Sequence, residues 1–277
     1  MRLILMGTPG FVVPIFDKIA SRHKIEAVFT RAPKPVGRKK IITKTPVHAW
    51  AESKNIPVYT NINKLANPVP AFAGMTNRIP NPDYIVVAAY GVILKKEALD
   101  FAPCLNIHPS MLPKYRGAAP IVSAILNGDA ETGVCLMKMA EEVDAGDVLL
   151  CERLPIGENE TTADIEKKVS KAAGDMVLRY LDAPEGFPPV PQSGEPTFTR
   201  KITNDDLSVD WKKTPREIHN QIRAIGGRTI INGIEIKILE TEIAGGELEI
   251  KTVQPAGKKP MGWADFMNGQ HEKCDIR

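Results

Sequence analysis

Asn106 and His108 stand two residues apart at the end of an apolar approach, "CLNIH" (104–108), and the next stretch, "PSMLPKYRGAAP", is crowded with prolines and polar groups. On a strand, a spacing of two puts both side chains on one face. An amide donor and an imidazole aimed at one point suit acyl transfer: the amide stabilises an oxyanion, and the imidazole moves a proton near neutral pH. An isolated N-x-H is more often a packed histidine beside a capping amide. Here Pro109 and Pro113 hold the chain extended and Gly117 permits a tight change of direction, so the pair sits in a stiffened frame. A second turn, "EEVDAGDVL" (141–149), offers Asp144 and Asp147. Either can meet His108 across a cleft, hold its tautomer and support its charge. Two aspartates in a turn otherwise serve as turn formers.

Other motifs exclude chemistry. "GTPGF" (7–11) follows an apolar run, but Pro9 and Phe11 break the GxGxxG pattern, and no GxxxxGK[ST] occurs. Dinucleotide and ATP binding are therefore not expected, and these glycines are read as structural. His23, His48, His219 and His271 lack metal-ligand spacing, so no metal is expected. Cys104, Cys135, Cys151 and Cys274 form no CxxC and are expected to be small buried hydrophobes in a reducing, cytoplasmic setting, not a disulfide frame. Trp50, Trp211 and Trp263 are read as core or interface residues.

The net charge is only +3, yet residues 1–50 hold ten Lys and Arg against Asp17 and Glu26. Six of those cations lie in "RAPKPVGRKKIITK" (31–44), which has no acid. Pro33, Pro35 and Gly37 argue against a regular element there. A loop of unopposed cations suits phosphate contact, as in RNA binding.

The elements that must position these groups follow from hydrophobic period. With 277 residues, 43% hydrophobic and 25% charged, the chain suits one large and one small globular domain. No apolar run is long enough to span a bilayer, and the N-terminus lacks the pattern of a signal peptide. Strands are expected at 2–7, 26–30, 56–60, 84–91, 104–108 and 132–140. Helices are expected after Gly10, with Pro14 in the first turn, and over 47–54, 95–101, 119–128 and 161–183, the last capped by Thr161 or Thr162. Alternation of this kind gives an α/β fold with a largely parallel sheet, whose ligand lies outside the carboxyl ends of the strands. Segment 63–82 carries too many prolines for a crossover helix and is expected to be irregular. Five prolines make 182–198 linker-like. Beyond it come a helix capped by Thr214 and a period-two region with Asn232–Gly233 and Gly245–Gly246 turns, a small β domain of three or four strands. The expected division is 1–183, a linker at 184–200, and 201–277.

"NIHPSMLPKYRGAAPI" together with "DAGD" resembles the folate-dependent formyltransferase family, whose members transfer a formyl group from 10-formyltetrahydrofolate to an amine. "GTPGFVVP", "APKPVGRKK", "VVAAYGVIL", "GDAETGV", "VDAGDVL" and "QPAGKKPM" are similar to the branch acting on methionyl-initiator tRNA. The resemblance covers nearly the whole chain. It implies a Rossmann-like formyltransferase domain and a smaller, shortened OB-like C-terminal domain that binds tRNA. It implies Asn106, His108 and Asp144 as the catalytic trio. It implies a folate pocket at Val87, Ala88, Ala89, Tyr90, Gly91, Ser110, Leu112, Pro113, Val143 and Asp147, and tRNA contacts at Arg38, Lys39, Lys40, Lys258 and Lys259. Lys114, Tyr115 and Arg116 are expected to face the acceptor or the folate tail. A cytoplasmic monomer is expected; the alternative acceptor is a sugar or nucleotide amine. Departures from the family pattern are Gly10 in place of Asp, Met111 in place of Leu, and a missing Gly between Arg38 and Lys39.

Overall fold

The structure is a computed structural model that describes residues 1–37, 39–66 and 81–270. Arg38 and most of the segment expected to be irregular, 63–82, lie outside the described residues. The strands are β1 (Arg2–Gly7), β2 (Lys24–Phe29), β3 (Lys34–Val36), β4 (Ile41–Thr43), β5 (Val58–Tyr59), β6 (Tyr84–Ala88), β7 (Cys104–His108), β8 (Arg116–Gly117), β9 (Glu131–Lys138), β10 (Val148–Pro155), β11 (Phe198–Thr199), β12 (Gly227–Ile231), β13 (Ile234–Ala244), β14 (Glu247–Pro255) and β15 (Met261–Gly262). The helices are α1 (Val13–Ala20), α2 (Pro46–Ser53), α3 (Asn63–Ala66), α4 (Lys96–Leu99), α5 (Pro120–Leu126), α6 (Thr162–Asp182), α7 (Pro215–Ile225) and α8 (Trp263–Asn268). None of the described helices is long and apolar enough to cross a membrane.

The chain divides into two compact units. The first comprises Met1–Gly117, Gly133–Leu154 and Lys167–Phe198. It is built on a seven-stranded sheet ordered β10-β9-β7-β6-β1-β2-β5. β1 pairs in parallel with β2 and β6, β6 with β7, and β2 with β5, whereas β7 and β9 run antiparallel. Every residue of β1 after Arg2 is buried, and so are the last four of β6. That two-sided burial is why these strands read as continuous apolar runs and not as alternating ones. Because β2 and β6 flank β1, sheet growth reverses there, and the crevice at the carboxyl ends of β1 and β6 is where such a sheet takes a ligand.

Gly7 closes β1 at that crevice. A Cβ there would lie 2.8 Å from the Phe16 ring and 2.9 Å from the Ala88 carbonyl oxygen. Thr8 Oγ1 then donates to the Tyr90 carbonyl at 2.9 Å. The "GTPGF" turn thus joins the ends of β1 and β6 by close packing. α1 presents Ile15, Phe16 and Ile19 to the sheet, with Pro14 in its first turn, where its missing N–H costs nothing. Thr45 caps α2 by accepting from His48 N at 3.1 Å, a contact worth about 1 kcal/mol.

The second unit comprises Ala118–Thr132, Pro155–Glu166 and the residues from Thr199 on. Its sheet, β12-β13-β14-β15, is antiparallel and four-stranded. Asn232 and Gly233 turn the chain at φ 50° and 77°, and Gly245 and Gly246 at 59° and 88°, the left-handed pairs that hairpins of this hand need. Val209, Ile218, Ile222, Ile231, Ile236, Ile238, Val253 and Phe266 form the core. A reciprocal capping box between Thr214 and Glu217 starts α7. Thr161 is the residue whose hydroxyl meets Asp164 N, at 3.4 Å, ahead of α6.

Two expectations are corrected, that of an irregular basic loop and that of unpaired cysteines. The basic segment forms a regular hairpin: Val36 pairs with Ile41 and Lys34 with Thr43, and Gly37 and Lys40 supply positive φ at its turn. Pro35 is tolerated because a two-stranded ribbon leaves one edge of each strand unpaired. Along the expected linker, 184–200, Val190 exchanges backbone hydrogen bonds of 2.8 Å with Val148. Cys135 and Cys151 are joined in a disulfide, their Cα atoms 4.1 Å apart on neighbouring strands. Spacing in the sequence cannot report such a cross-strand approach. Cys104 is a buried free thiol, which burial pushes up to about 12.

Candidate active site

β6 and β7 pair Val87 with Asn106 and Ala88 with Ile107, so both end at the crevice. Asn106 is half-buried and His108 is 3% exposed. His108 Nε2 lies 2.9 Å from the Tyr115 carbonyl oxygen. A carbonyl only accepts, so Nε2 carries a hydrogen and Nδ1 is the variable nitrogen. Nδ1 faces Asp144 Oδ2 at 3.5 Å. Asp144 is in turn held by Asn106 Nδ2, which donates to Oδ1 at 3.1 Å, and by Gly117 N, which donates to Oδ2 at 2.8 Å. Three groups from two chain segments, β7 and β8, therefore converge on one carboxylate.

Unusual backbone builds this convergence. Asp144 has φ 51° and Tyr115 φ 64°, a region that asparagine and aspartate visit more readily than other side chains and that a tyrosine rarely enters. Tyr115 is nevertheless fixed, because its N–H donates to Thr197 Oγ1 at 2.7 Å and its ring is 6% exposed. Gly117 turns at φ 109°. Gly146 lies where a Cβ would overlap the Lys138 carbonyl, so the turn carrying Asp144 closes against β9 only with glycine there. Asp147 meets β9 through its backbone, its carbonyl accepting from Lys138 N at 2.9 Å. Of the two candidate aspartates, Asp144 is the one facing His108. Among the described residues, no group of three or more His, Cys, Asp or Glu is placed to hold a metal ion.

A family model described as "Formyl transferase" matches residues 1–181, and one described as "Formyl transferase, C-terminal domain" matches 201–247. The chain belongs to the formyl transferase family. It is 36% identical over 296 residues to a methionyl-tRNA formyltransferase of Cereibacter sphaeroides, an alignment covering 97% of this chain and 96% of that protein. It is 38% identical over 285 residues to a methionyl-tRNA formyltransferase of Ehrlichia ruminantium, covering 99% of this chain and 88% of the other. The fold is similar to that of the methionyl-tRNA formyltransferase from Clostridium thermocellum, with TM-score 0.66, 19% identity and coverage of 92% and 98%. It is equally similar, at TM-score 0.66 and 20% identity, covering 94% and 99%, to WlaRD, a sugar 3N-formyl transferase solved with dTDP and 5-N-formyl-THF.

In this formyl transferase, the residues expected to line the folate pocket differ in burial. Val87 and Tyr90 point into the core with Ile4, Met6 and Leu94, and Ala88 is buried, whereas Ala89 and Gly91 are exposed with φ 44° and 74°. Ser110 is fully buried and donates to the Lys114 carbonyl at 2.6 Å, bracing the loop. Leu112 and Pro113, joined by a cis peptide, are half-buried, and Val143 is 49% exposed. The stretch expected to face acceptor or folate divides. Tyr115 is buried, and Arg116 is half-buried with bonds to Gln192 and Glu142. Lys114 lies over the Tyr115 ring, 4.9 Å from its centroid. Lys39 and Lys40 are exposed at the turn of the hairpin, and Lys258 and Lys259 are exposed in the second unit. At Gly10, a Cβ would meet Pro46 only at 3.8 Å, so space does not require glycine there.

Sequence reasoning missed the Tyr115 carbonyl, the Gly117 N–H, Thr197 and Gln192. The first two act through backbone, where residue type carries no signal. The last two lie in a stretch whose prolines and glycines mark it as a connector.

Proposed function

We propose that this chain transfers the formyl group of 10-formyltetrahydrofolate to the α-amine of methionine carried on initiator tRNA. The observation that carries the reading is the convergence of His108, Asn106 and Gly117 on Asp144 at the carboxyl end of β7. An α-amine has an ordinary pKa of about 7.7–8.0, so a useful neutral fraction exists at pH 7. Asn106 Nδ2 has a second hydrogen beyond the one given to Asp144, and that hydrogen meets the oxyanion developing on the formyl oxygen. With Nε2–H anchored on Tyr115, His108 Nδ1 receives the proton shed by the attacking amine, beside the Asp144 carboxylate, and returns it to N10 of the folate as the formyl carbon–N10 bond breaks and tetrahydrofolate leaves. Asn106, His108 and Asp144 are the catalytic residues of this reading.

The pterin end of the folate lies along the backbone of 87–91 and 143–147, with Ser110 to Pro113 as the facing wall. Arg38, Lys39 and Lys40, with Lys258 and Lys259, meet tRNA phosphates, and the protein acts as a cytoplasmic monomer. The test is a formyl-transfer assay with methionyl-initiator and methionyl-elongator tRNA in parallel. Turnover on the initiator tRNA and weak turnover on the elongator support the reading. Transfer to a free sugar or nucleotide amine, or formate release without acceptor, overturns it.

A further inference from the structure

Segment 190–197 of the first unit has the composition of a connector, yet it touches both loops that carry the site. After the Val148–Val190 pairing, Gln192 Nε2 donates to the Asp144 and Gly146 carbonyls, each at 2.8 Å. Its Oε1 accepts from Arg116 Nε at 3.1 Å and Nη2 at 2.8 Å. Farther on, Thr197 N donates to the Pro113 carbonyl at 3.3 Å, its carbonyl accepts from Arg116 N at 2.8 Å, and its hydroxyl accepts from Tyr115 N at 2.7 Å.

The Gln192 amide is used completely. Two carbonyls can only accept and a guanidinium can only donate, so its orientation is fixed by its partners. No other side chain of that length gives two donors and one acceptor in a plane. Glutamate keeps the acceptor and loses both donors; asparagine is one methylene short. The residue so gripped, Asp144, sits at positive φ, a conformation that persists only where surrounding bonds enforce it.

We propose that Gln192 is a positioning residue for formyl transfer. It ties the Asp144 turn to the Arg116 arm and so holds the Asp144 carboxylate opposite His108 Nδ1. This rests on the reading of Asn106, His108 and Asp144 as the catalytic trio.

The test is a double-mutant cycle between Gln192→Ala and Asp144→Asn, read as kcat and KM for methionyl-tRNA, with thermal melting of every variant. Gln192→Ala is expected to lower kcat about 10²-fold, the scale of a displacement of about 1 Å, with KM changed less than about 2-fold. In the Asp144→Asn background the same change should cost nothing further, because the group it positions is already disabled. Gln192→Glu, which keeps the partner of Arg116, should behave like Gln192→Ala, and it carries the same cycle if Gln192→Ala fails to fold. An inactive Asp144→Asn beside a Gln192 variant at wild-type kcat overturns the positioning role alone. So do losses that multiply across the cycle, the signature of a merely structural role. Asp144→Asn at wild-type turnover overturns the catalytic reading and this proposal with it.

Discussion

The His108 ring is anchored by a backbone atom: its Nε2 donates to the Tyr115 carbonyl at 2.9 Å, while the carboxylate of Asp144 faces the opposite nitrogen at 3.5 Å. The tautomer is thus set by a peptide group that cannot titrate, and the carboxylate is left beside the nitrogen to which we assign the proton transfer. His108→Ala should lower kcat by about 10²–10⁴-fold, the usual contribution of a positioned acid–base group. Its Kd for methionyl-tRNA should stay within about 2-fold, because the 3% exposed ring offers no surface to the tRNA body. Single-turnover formylation beside filter binding measures both; retained turnover removes the assigned role.

Asn106 bridges to the same carboxylate with one N–H, and the proposed mechanism assigns its second to the oxyanion. Asn106→Ala should cost about 2.7–4 kcal/mol in transition-state stabilisation, with little change in folate KM. Asn106→Asp should be no better, since it brings a second carboxylate against Asp144. Comparing kcat/KM for the two variants with wild type checks this. A loss confined to KM would place Asn106 in ground-state binding.

Gly146 is constrained by space, not by sign of φ. A Cβ would overlap the Lys138 carbonyl oxygen, a backbone atom that cannot swing aside as the neighbouring Met137 side chain can. Gly146→Ala should therefore open the contact between the Asp144 turn and β9, destabilising the first unit by roughly 1–3 kcal/mol, the scale of overpacking, and lowering activity in the fraction that folds. Urea denaturation with activity normalised to folded protein separates the two effects.

Part of this site was legible from the sequence. The N-x-H spacing placed two side chains on one strand face, and the parallel sheet put that face at a carboxyl end. Residue type alone does not choose between Asp144 and Asp147, two acidic residues in one Gly-containing turn; the family resemblance favours Asp144, and the fold sets that carboxylate opposite the imidazole. The Tyr115 carbonyl and Gly117 N–H leave no trace in side-chain chemistry. The hairpin at 34–43 was hidden by Pro35, which edge pairing tolerates. The Cys135–Cys151 bond depends on two strands becoming neighbours, a long-range fact that spacing along the chain does not contain.

In the second unit, His219 is 1% exposed, with Nε2 against the Glu158 carbonyl at 3.1 Å and Nδ1 against the Thr241 hydroxyl at 3.0 Å. Burial, reinforced by the nearby cations Arg223 and Arg216 and partly offset by the Glu158 carbonyl, holds its pKa below the ordinary 6.5. The unfolded chain takes up a proton there before the folded one does. The stability that neutral His219 contributes is therefore present above about pH 6.5 and is lost as pH falls toward the lowered value. His219→Gln should flatten the acid side of the plot of Tm against pH between 7.5 and 5. An unchanged slope would assign the acid loss to other groups, such as His23, which burial also lowers.

Lys39 and Lys40 project from a hairpin turn, and Val36, Ile41 and Ile42 beside them are 56%, 62% and 66% exposed. A two-stranded ribbon with cations at its tip and apolar flanks matches a nucleic-acid groove better than it matches solvent. Each lysine that neutralises a phosphate releases about 0.9 of a condensed counterion when it binds a duplex stem. Lys39→Ala and Lys40→Ala should each weaken methionyl-tRNA binding and reduce the slope of log K against log salt by about 1, with nearly additive effects in the double variant. Turnover at saturating tRNA should stay close to wild type, because no group of the His108 constellation lies on this hairpin. Titrations at three or more salt concentrations provide the slopes. A loss of affinity with an unchanged slope would assign the hairpin's contribution to Ile41 and Ile42 instead of its charges.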